Sequence, residues 1–308
     1  MSQAPHDPEA ALRPAKSGLI PALGAYTIWG FLPLYLILVK TVPPFEFVGW
    51  RIIWTLPFCL LIVAFRKQAG ELLAALKSPR SLVFLSASAA LIGINWLMYV
   101  WAIQTGNVFA ASLGYYINPL LNVVLGTLVL SEKLTRKQWV AVGLAASGVL
   151  ILASGALTTL WISLTLAMSF GTYGLLRKQV AVGSLPGLTI ESAILLLPAV
   201  AIVLYYAQSS QGSAFGGDPV LSGYIMLGGI VTAIPLLLFA LAARRMDYST
   251  LGFIQFLAPT IVFFLGLFVF KEELKTAQLL CFILIWTALA IFLWDIWSRR
   301  KKPVTATP

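Results

Sequence analysis

The sequence predicts an all-α membrane protein: ten transmembrane helices built as two five-helix copies of opposite orientation. Three observations carry that expectation. Of 308 residues, 59% are hydrophobic and 10% charged, with a mean hydropathy of +0.90. Ten apolar runs of span length follow one another. The chain also matches itself, ungapped, at an offset of 140 residues. Soluble domains carry about 25% charged residues, and a water-exposed fold has no means of hiding this much apolar surface. The composition excludes an ordinary cytosolic enzyme and a disordered chain, and makes lipid the main solvent.

A bilayer-crossing helix needs about 20 predominantly apolar residues. The first five such runs are Leu19–Val39, Phe45–Phe65, Ser81–Ile103, Val108–Leu130 and Gln138–Leu152. The second five are Leu157–Leu176, Gly187–Tyr206, Leu221–Ala243, Ser249–Phe270 and Ala277–Trp297. The copies therefore cover residues 18–153 and 157–297, with polar tails at 1–17 and 298–308. The first run is of full span length, so the start reads as a retained helix and not as a cleavable signal.

Net charge is +10. With the N-terminus in the cytoplasm, 17 of the 21 Lys and Arg fall on the inner side, Lys40, Lys271 and Lys275 fall outside, and Arg51 lies within a span. That asymmetry predicts both termini in the cytoplasm and explains the basic excess without nucleic acid. Cys59 and Cys281 sit far apart in apolar runs and imply no disulfide framework. His6, the single histidine, stands in a polar tail, which leaves no basis for a His-built metal or catalytic site. No phosphate-binding Gly-x-x-x-x-Gly-Lys loop occurs, so no ATP-driven pump and no cofactor is implied.

At the 140-residue offset Pro119 falls on Pro259, Gly126 on Gly266, Glu132 on Glu272, Leu134 on Leu274 and Gln138 on Gln278. Five spans per copy is an odd number, so the copies must be inverted relative to each other. The loop Ser131–Lys137 is strongly basic, whereas its counterpart Lys271–Lys275 balances its lysines with Glu272 and Glu273, as inversion requires. Inverted repeats are a device of secondary transporters, which hold the solute near the midplane where the halves meet.

The segments Ala111–Gly126 (ASLGYYINPLLNVVLG) and Ser249–Gly266 (STLGFIQFLAPTIVFFLG) resemble the RarD family of EamA-domain permeases, within the drug/metabolite transporter superfamily. AYTIWG at 25–30, LIGINWL at 91–97 and SFGTYGLLRK at 169–178 add to the likeness, which runs from about Leu19 to about Trp297. The resemblance implies a ten-helix bacterial-type inner-membrane permease with a central cavity lined mainly by spans 1, 3, 4, 6, 8 and 9. Family members are commonly labelled chloramphenicol-resistance permeases, and better-understood relatives move amino acids, nucleotide-type metabolites or drugs.

Several residues are candidates to touch such a solute. Ala111, Tyr115, Asn118, Asn122 and Gly126 recur at three or four and form one helix stripe. Polar groups facing lipid are costly, so the stripe should face the interior, as a binding wall or as helix–helix glue. Pro119 deprives the Tyr115 carbonyl of its helical donor, and Pro259 does the same to Gln255, the repeat partner of Tyr115. Helix breaks at these prolines would present matching polar groups at one depth. Trp29 in the first span, and Asn95 and Tyr99 one turn apart in the third, are the aromatic and amide candidates.

Two ionisable residues lie within spans, Arg51 and Glu191, again 140 apart. They stand on the order of 15 Å apart along the normal, too far to pair directly. Each is near enough to its own surface to snorkel. The sharper readings make Arg51 an anchor for an anionic solute and Glu191 a binder of a coupling proton. Ala141, Gly143, Ala145 and Ser147 suit close helix packing, within the bundle or against a second copy. The functional expectation is a secondary-active permease exporting or exchanging an amino-acid-like or amphipathic solute by alternating access. A passive channel and a membrane-embedded enzyme are the alternatives.

Overall fold

The computed structural model describes residues 16–155, 157–210 and 212–300. The expected tails therefore lie largely outside the described residues. Among the described residues twelve α-helices follow in order: α1 (Lys16–Leu36), α2 (Pro44–Phe65), α3 (Ala69–Leu76), α4 (Pro79–Gln104), α5 (Val108–Leu128) and α6 (Arg136–Ala153). Then come α7 (Leu160–Gln179), α8 (Ser184–Ala207), α9 (Pro219–Arg245), α10 (Tyr248–Gln255), α11 (Leu257–Phe268) and α12 (Thr276–Arg300). The start of α1 and the end of α12 share one end of the bundle, called here the terminal end. The α1–α2, α4–α5 and α11–α12 connections form the opposite end.

Helix starts follow from local sequence. Ser78 accepts from the Ser81 N–H with Pro79 in the first helical position, and Asp218 accepts from the Val220 N–H with Pro219 behind it. Both placements use a donor-free proline where a helix has no partner to offer. Thr135 and Gln138 form a reciprocal capping box on α6, at 2.9 and 3.2 Å. A helix with its N-terminal N–H groups satisfied keeps those polar groups paired where water is scarce.

Among the described residues, nine segments are long and apolar enough to cross a membrane, α10 and α11 counting together as one. The tenth expected span is α6, 18 residues opening on Arg136 and Lys137, which lies outside that set. It lies along α12, with Ala141 and Ala145 fully buried and Gly148 pressed on the Cys281 carbonyl. Small residues here let the two backbones approach. Gly143 and Ser147, the second small pair of this helix, point away, Ser147 bonding back to the Gly143 carbonyl at 2.9 Å. At the terminal end the pair is fastened by Thr135 Oγ1 donating to Asp295 Oδ2 at 2.9 Å.

Two features depart from the sequence expectation. The basic connection after α2 contains α3, whose Leu72 and Ala75 pack on Leu85, Val180, Val182 and Ile190. Glu71 of α3 accepts from the Gly183 N–H at 2.9 Å, tying it to the start of α8. The prolines also behave differently from each other. Pro259 ends regular hydrogen bonding at Phe256 and splits the ninth span into α10 and α11. Pro119 does not break α5, which runs on through it. Neighbours clamp α5 on both flanks: Asn118 Nδ2 donates to the Ala167 carbonyl at 3.0 Å, and α10 lies so close that a Cβ at Gly252 would fall 2.7 Å from the Pro119 oxygen. Packed surroundings of this kind hold a proline-bearing helix in register.

Candidate functional site

A cavity of about 780 Å³ enters the bundle at the end opposite the termini. Its mouth carries Lys40, Glu272, Glu273 and Lys275, all exposed, and its walls come from α1, α2, α4, α5, α7, α9, α10, α11 and α12, with Leu152 of α6 at one edge. Trp29, Asn95, Tyr99, Tyr115 and Gln255 line it, so five of the uncharged candidates meet in one space, whereas Ala111, Asn118, Asn122 and Gly126 of the α5 stripe are absent from its wall. Tyr99 and Tyr115 stand edge to face at 5.7 Å. Asn95 is tethered, its Nδ2 donating to the Leu166 carbonyl at 2.9 Å and to Ser169 Oγ at 3.0 Å. Gln255 Oε1 accepts from Asn122 Nδ2 at 2.8 Å, a bond from α5 to α10.

Asn118 faces a neighbouring helix. It is buried, turned onto α7 and absent from the cavity wall. Of the two roles open to the stripe it takes helix–helix contact here, the α7 carbonyl it meets closing off that side of α5.

The charged candidates do not snorkel. Arg51 faces the cavity, with its guanidinium carbon 4.3 Å from the centre of the Trp96 ring. Its side chain joins no ion pair or hydrogen bond among the described residues, and its Nε is buried without a partner. The wall contribution of α2 was missed by the sequence reading of the lining helices, although Arg51 itself was singled out. Glu191 is buried near the terminal end, accepting from Ser88 Oγ and, at 3.5 Å, from the Tyr173 hydroxyl. Arg177, assigned by charge counting to the inner surface, is instead fully buried. Its Nη1 lies 3.4 Å from Glu191 Oε1 and its Nη2 donates to the Ser184 carbonyl at 3.0 Å.

Beneath the cavity the bundle is sealed. Trp29, Phe170, Phe239, Tyr26 and Tyr173 form an aromatic layer, with Trp29 at 5.6 Å from Phe170 and Phe170 at 5.1 Å from Phe239. Below it the Tyr248 hydroxyl donates to the Gly171 carbonyl at 2.6 Å. At the terminal surface Glu132, beyond the end of α5, closes the stack. Its carboxylate accepts from the Tyr248 N–H at 2.6 Å, the Ser249 N–H at 2.9 Å and Ser249 Oγ at 2.7 Å. A carboxylate on the unsatisfied N–H groups of a helix start also meets the positive end of its dipole. Burial, with the Glu132 charge nearby, raises the Asp247 carboxyl above its ordinary range. Glu132 carries no chemical motif, and only its repeat match to Glu272 singled it out in the sequence.

The arrangement is that of a solute pocket open to one face and closed to the other. Residues 16–154 match the EamA-like transporter family. The chain is 42% identical to an uncharacterized transporter of Pseudomonas aeruginosa, over 94% of this chain and 97% of that protein. It is 41% identical to Protein RarD of Escherichia coli, over 93% and 97% of the two chains. Against Protein RarD of Streptomyces exfoliatus the identity is also 41%, over 93% and 91%. The chain belongs to the RarD family. It is accordingly a multi-pass transporter of small solutes in a bacterial inner membrane, with the drug/metabolite transporter fold. A crystal structure with 18% identity superposes at a TM-score of 0.72, covering 92% of this chain and 99% of the other, which agrees on the fold.

For this RarD-family chain the Arg177–Glu191 pair sets a stability expectation. Removing one partner of a buried pair strands the other charge and costs about 3–5 kcal/mol, whereas removing both is far milder. Arg177→Met should therefore lower the thermal unfolding temperature in detergent steeply, and Arg177→Met with Glu191→Gln should recover most of the loss. Equal destabilisation by the single and double variants would show that the charges are not coupled.

Proposed function

We propose that the chain is a secondary-active permease, exporting or exchanging an amino-acid-like or amphipathic solute by alternating access between two inverted five-helix repeats. Both termini face the cytoplasm in this reading, as the distribution of Lys and Arg requires, so the cavity is open to the outside. Helix neighbours support the repeat, since exchanging the two copies maps one set of packed pairs onto another. Thus α5 with α7 corresponds to α11 with α1, α4 with α7 to α9 with α1, and α2 with α9 to α8 with α4. Ser131 and Lys271, 140 apart, share a left-handed φ of 56°, and the next N–H in each case donates to Gly126 or Gly266 at 2.9 Å.

One observation carries the alternating-access reading. On the closed side Gly252 presses on Pro119 and Asn122, while Glu132 caps α10. At the 140-residue offset the counterparts are Ser112, Pro259, Val262 and Glu272. Those four residues stand on the open cavity wall, as do Val108 and Phe109 at the uncapped start of α5. The same contact is thus made in one copy and unmade in the other. Exchanging them closes the outer mouth, with Glu272 taking the α5 N–H groups, and frees the inner one. Rocking of one repeat against the other around a central site is the general form of such transport.

A cysteine pair tests this directly. In a background with Cys59 and Cys281 replaced by alanine, Ser112→Cys and Val262→Cys line the open cavity and should cross-link only when the outer mouth closes. Cross-linking should rise on adding transported solute and abolish counterflow in proteoliposomes, with reduction restoring it. A channel would give no counterflow, and cysteines that never cross-link would refute the exchange of contacts.

Protons serve as the coupling ion in this reading, through Glu191. A void of about 10 Å³, lined by Thr55 and Ser192, lies between Glu191 and the main cavity, and Trp96 and Leu236 border both spaces. Space of that order admits about one water molecule. Glu191→Gln, made together with Arg177→Met so that neither buried charge is stranded, should abolish uptake driven by a pH gradient while leaving counterflow, which needs no proton, intact. Unchanged pH dependence would remove Glu191 from coupling.

A further inference from the structure

The charges on the cavity wall are uneven in a way that specifies a ligand. Two lysines and two glutamates, Lys40, Lys275, Glu272 and Glu273, balance at the mouth. Arg51, deeper on α2, is the remaining charge, so the lined space carries a net charge of +1. Arg51 has no carboxylate within ion-pair reach among the described residues, and its Nε is buried without a hydrogen-bond acceptor. A guanidinium stays protonated at any physiological pH and presents its N–H donors in a planar fork. Leaving such a group unpaired in a membrane interior is costly, which is expected only where a partner arrives from outside the chain.

We infer that Arg51 is the anchor for the carboxylate of an amphipathic organic monoanion, whose apolar or aromatic body fills the rest of the cavity. This rests on the permease reading and narrows its solute class. Around Arg51 stand groups suited to that ligand. Trp96 supports the cation by its ring face at 4.3 Å, and Tyr35, Tyr99 and Tyr115 lie within electrostatic reach of the guanidinium. A cation over an aromatic face keeps its N–H donors for a carboxylate, which the fork binds in two parallel bonds. Beyond it the wall is aromatic and aliphatic, with Trp29, Phe170, Leu236 and Phe263 along it.

Charge balance selects among anions. One fixed cation neutralises a monoanion but leaves a phosphate monoester with an uncompensated negative charge in a poorly hydrated space. An α-amino acid fits less well too, because its ammonium adds a second cation beside Arg51 and the carboxylates that would neutralise it are at the mouth. The inference therefore favours carboxylic acids lacking an α-ammonium group over zwitterions.

A matched series tests this on the purified full-length protein in nanodiscs. Phenylacetate, phenylacetamide, phenethylamine and phenylalanine share one aromatic body and differ in head-group charge. Equilibrium binding at millimolar concentration, followed by intrinsic tryptophan fluorescence, should rank phenylacetate first, with phenylalanine weaker and the amide and amine weakest. Arg51→Gln should weaken phenylacetate about 10- to 100-fold, the range for losing a hydrogen bond to a charged group, and abolish the ranking. Arg51→Lys, which keeps the charge and loses the fork, should fall between. The wild-type ranking needs no variant, so a misfolded Arg51→Gln protein leaves the test intact. Equal binding of amide and carboxylate, no carboxylate binding, or a ranking that survives in a folded Arg51→Gln protein would overturn the inference. Transport is read separately: a carboxylate that binds through Arg51 yet gives no counterflow would count against the permease reading and not against the anchor.

Discussion

The crossing of α5 and α10 is the contact on which the rest of the molecule depends. In a lipid solvent every buried backbone donor needs a partner inside the protein, and α10 starts inside a closed bundle with its first N–H groups directed at Glu132. Gly252 makes the approach possible, since a side chain there would meet the Pro119 oxygen. The Asn122–Gln255 bond then fixes α5 and α10 one level above. Together these hold the terminal end shut beneath the aromatic layer. With that end shut, the space between the same helices at the other end is free to stand open.

Polar residues in this bundle divide into those that are spent on structure and those left available. Asn118, Asn122 and Asn95 use their amide N–H groups on neighbouring helices. Arg177 and Glu191 face each other in the core, and Glu46 accepts from Ser213 Oγ and the Ala214 N–H near the open end. Arg51 belongs to the second group. Its cation lies against an aromatic face inside a cavity, paired with nothing, and that contrast with Arg177 gives it functional weight.

Much of the fold was legible because lipid imposes simple rules on composition. Span lengths follow from hydropathy, and α1, α2, α4, α5 and α7 appear within a few residues of their expected bounds. The cavity was partly legible as well, since Tyr115, Trp29, Asn95, Tyr99 and Gln255 all reach it. Asn118 fails for a geometric reason. At about 100° per residue it is rotated roughly 60° from Tyr115 around α5, enough to exchange the cavity for α7. Asn122 returns nearly to the direction of Tyr115, but two turns lower, where α10 has already filled the space. Periodicity gives the inward face of a helix and not the depth at which the hollow ends. Arg177 was hidden for a related reason: a residue in the last turn of α7 reads as surface unless its partner across the loop, Glu191 on α8, is known. The capacity of α5 to carry Pro119 unbroken depends on clamping by α7 and α10, which local sequence does not encode.

In the proposed cycle the two mouths open in turn because one contact is exchanged between copies. Paired spin labels give the most direct measurement, one pair across the cavity mouth at Val108 and Glu273, the other across the terminal end at Lys133 and Asp247. In nanodiscs with saturating transported solute, a second population should appear in which the mouth distance shortens and the terminal-end distance lengthens, in equal proportion. Mouth and terminal-end distances that stay fixed, or that lengthen together, would contradict it.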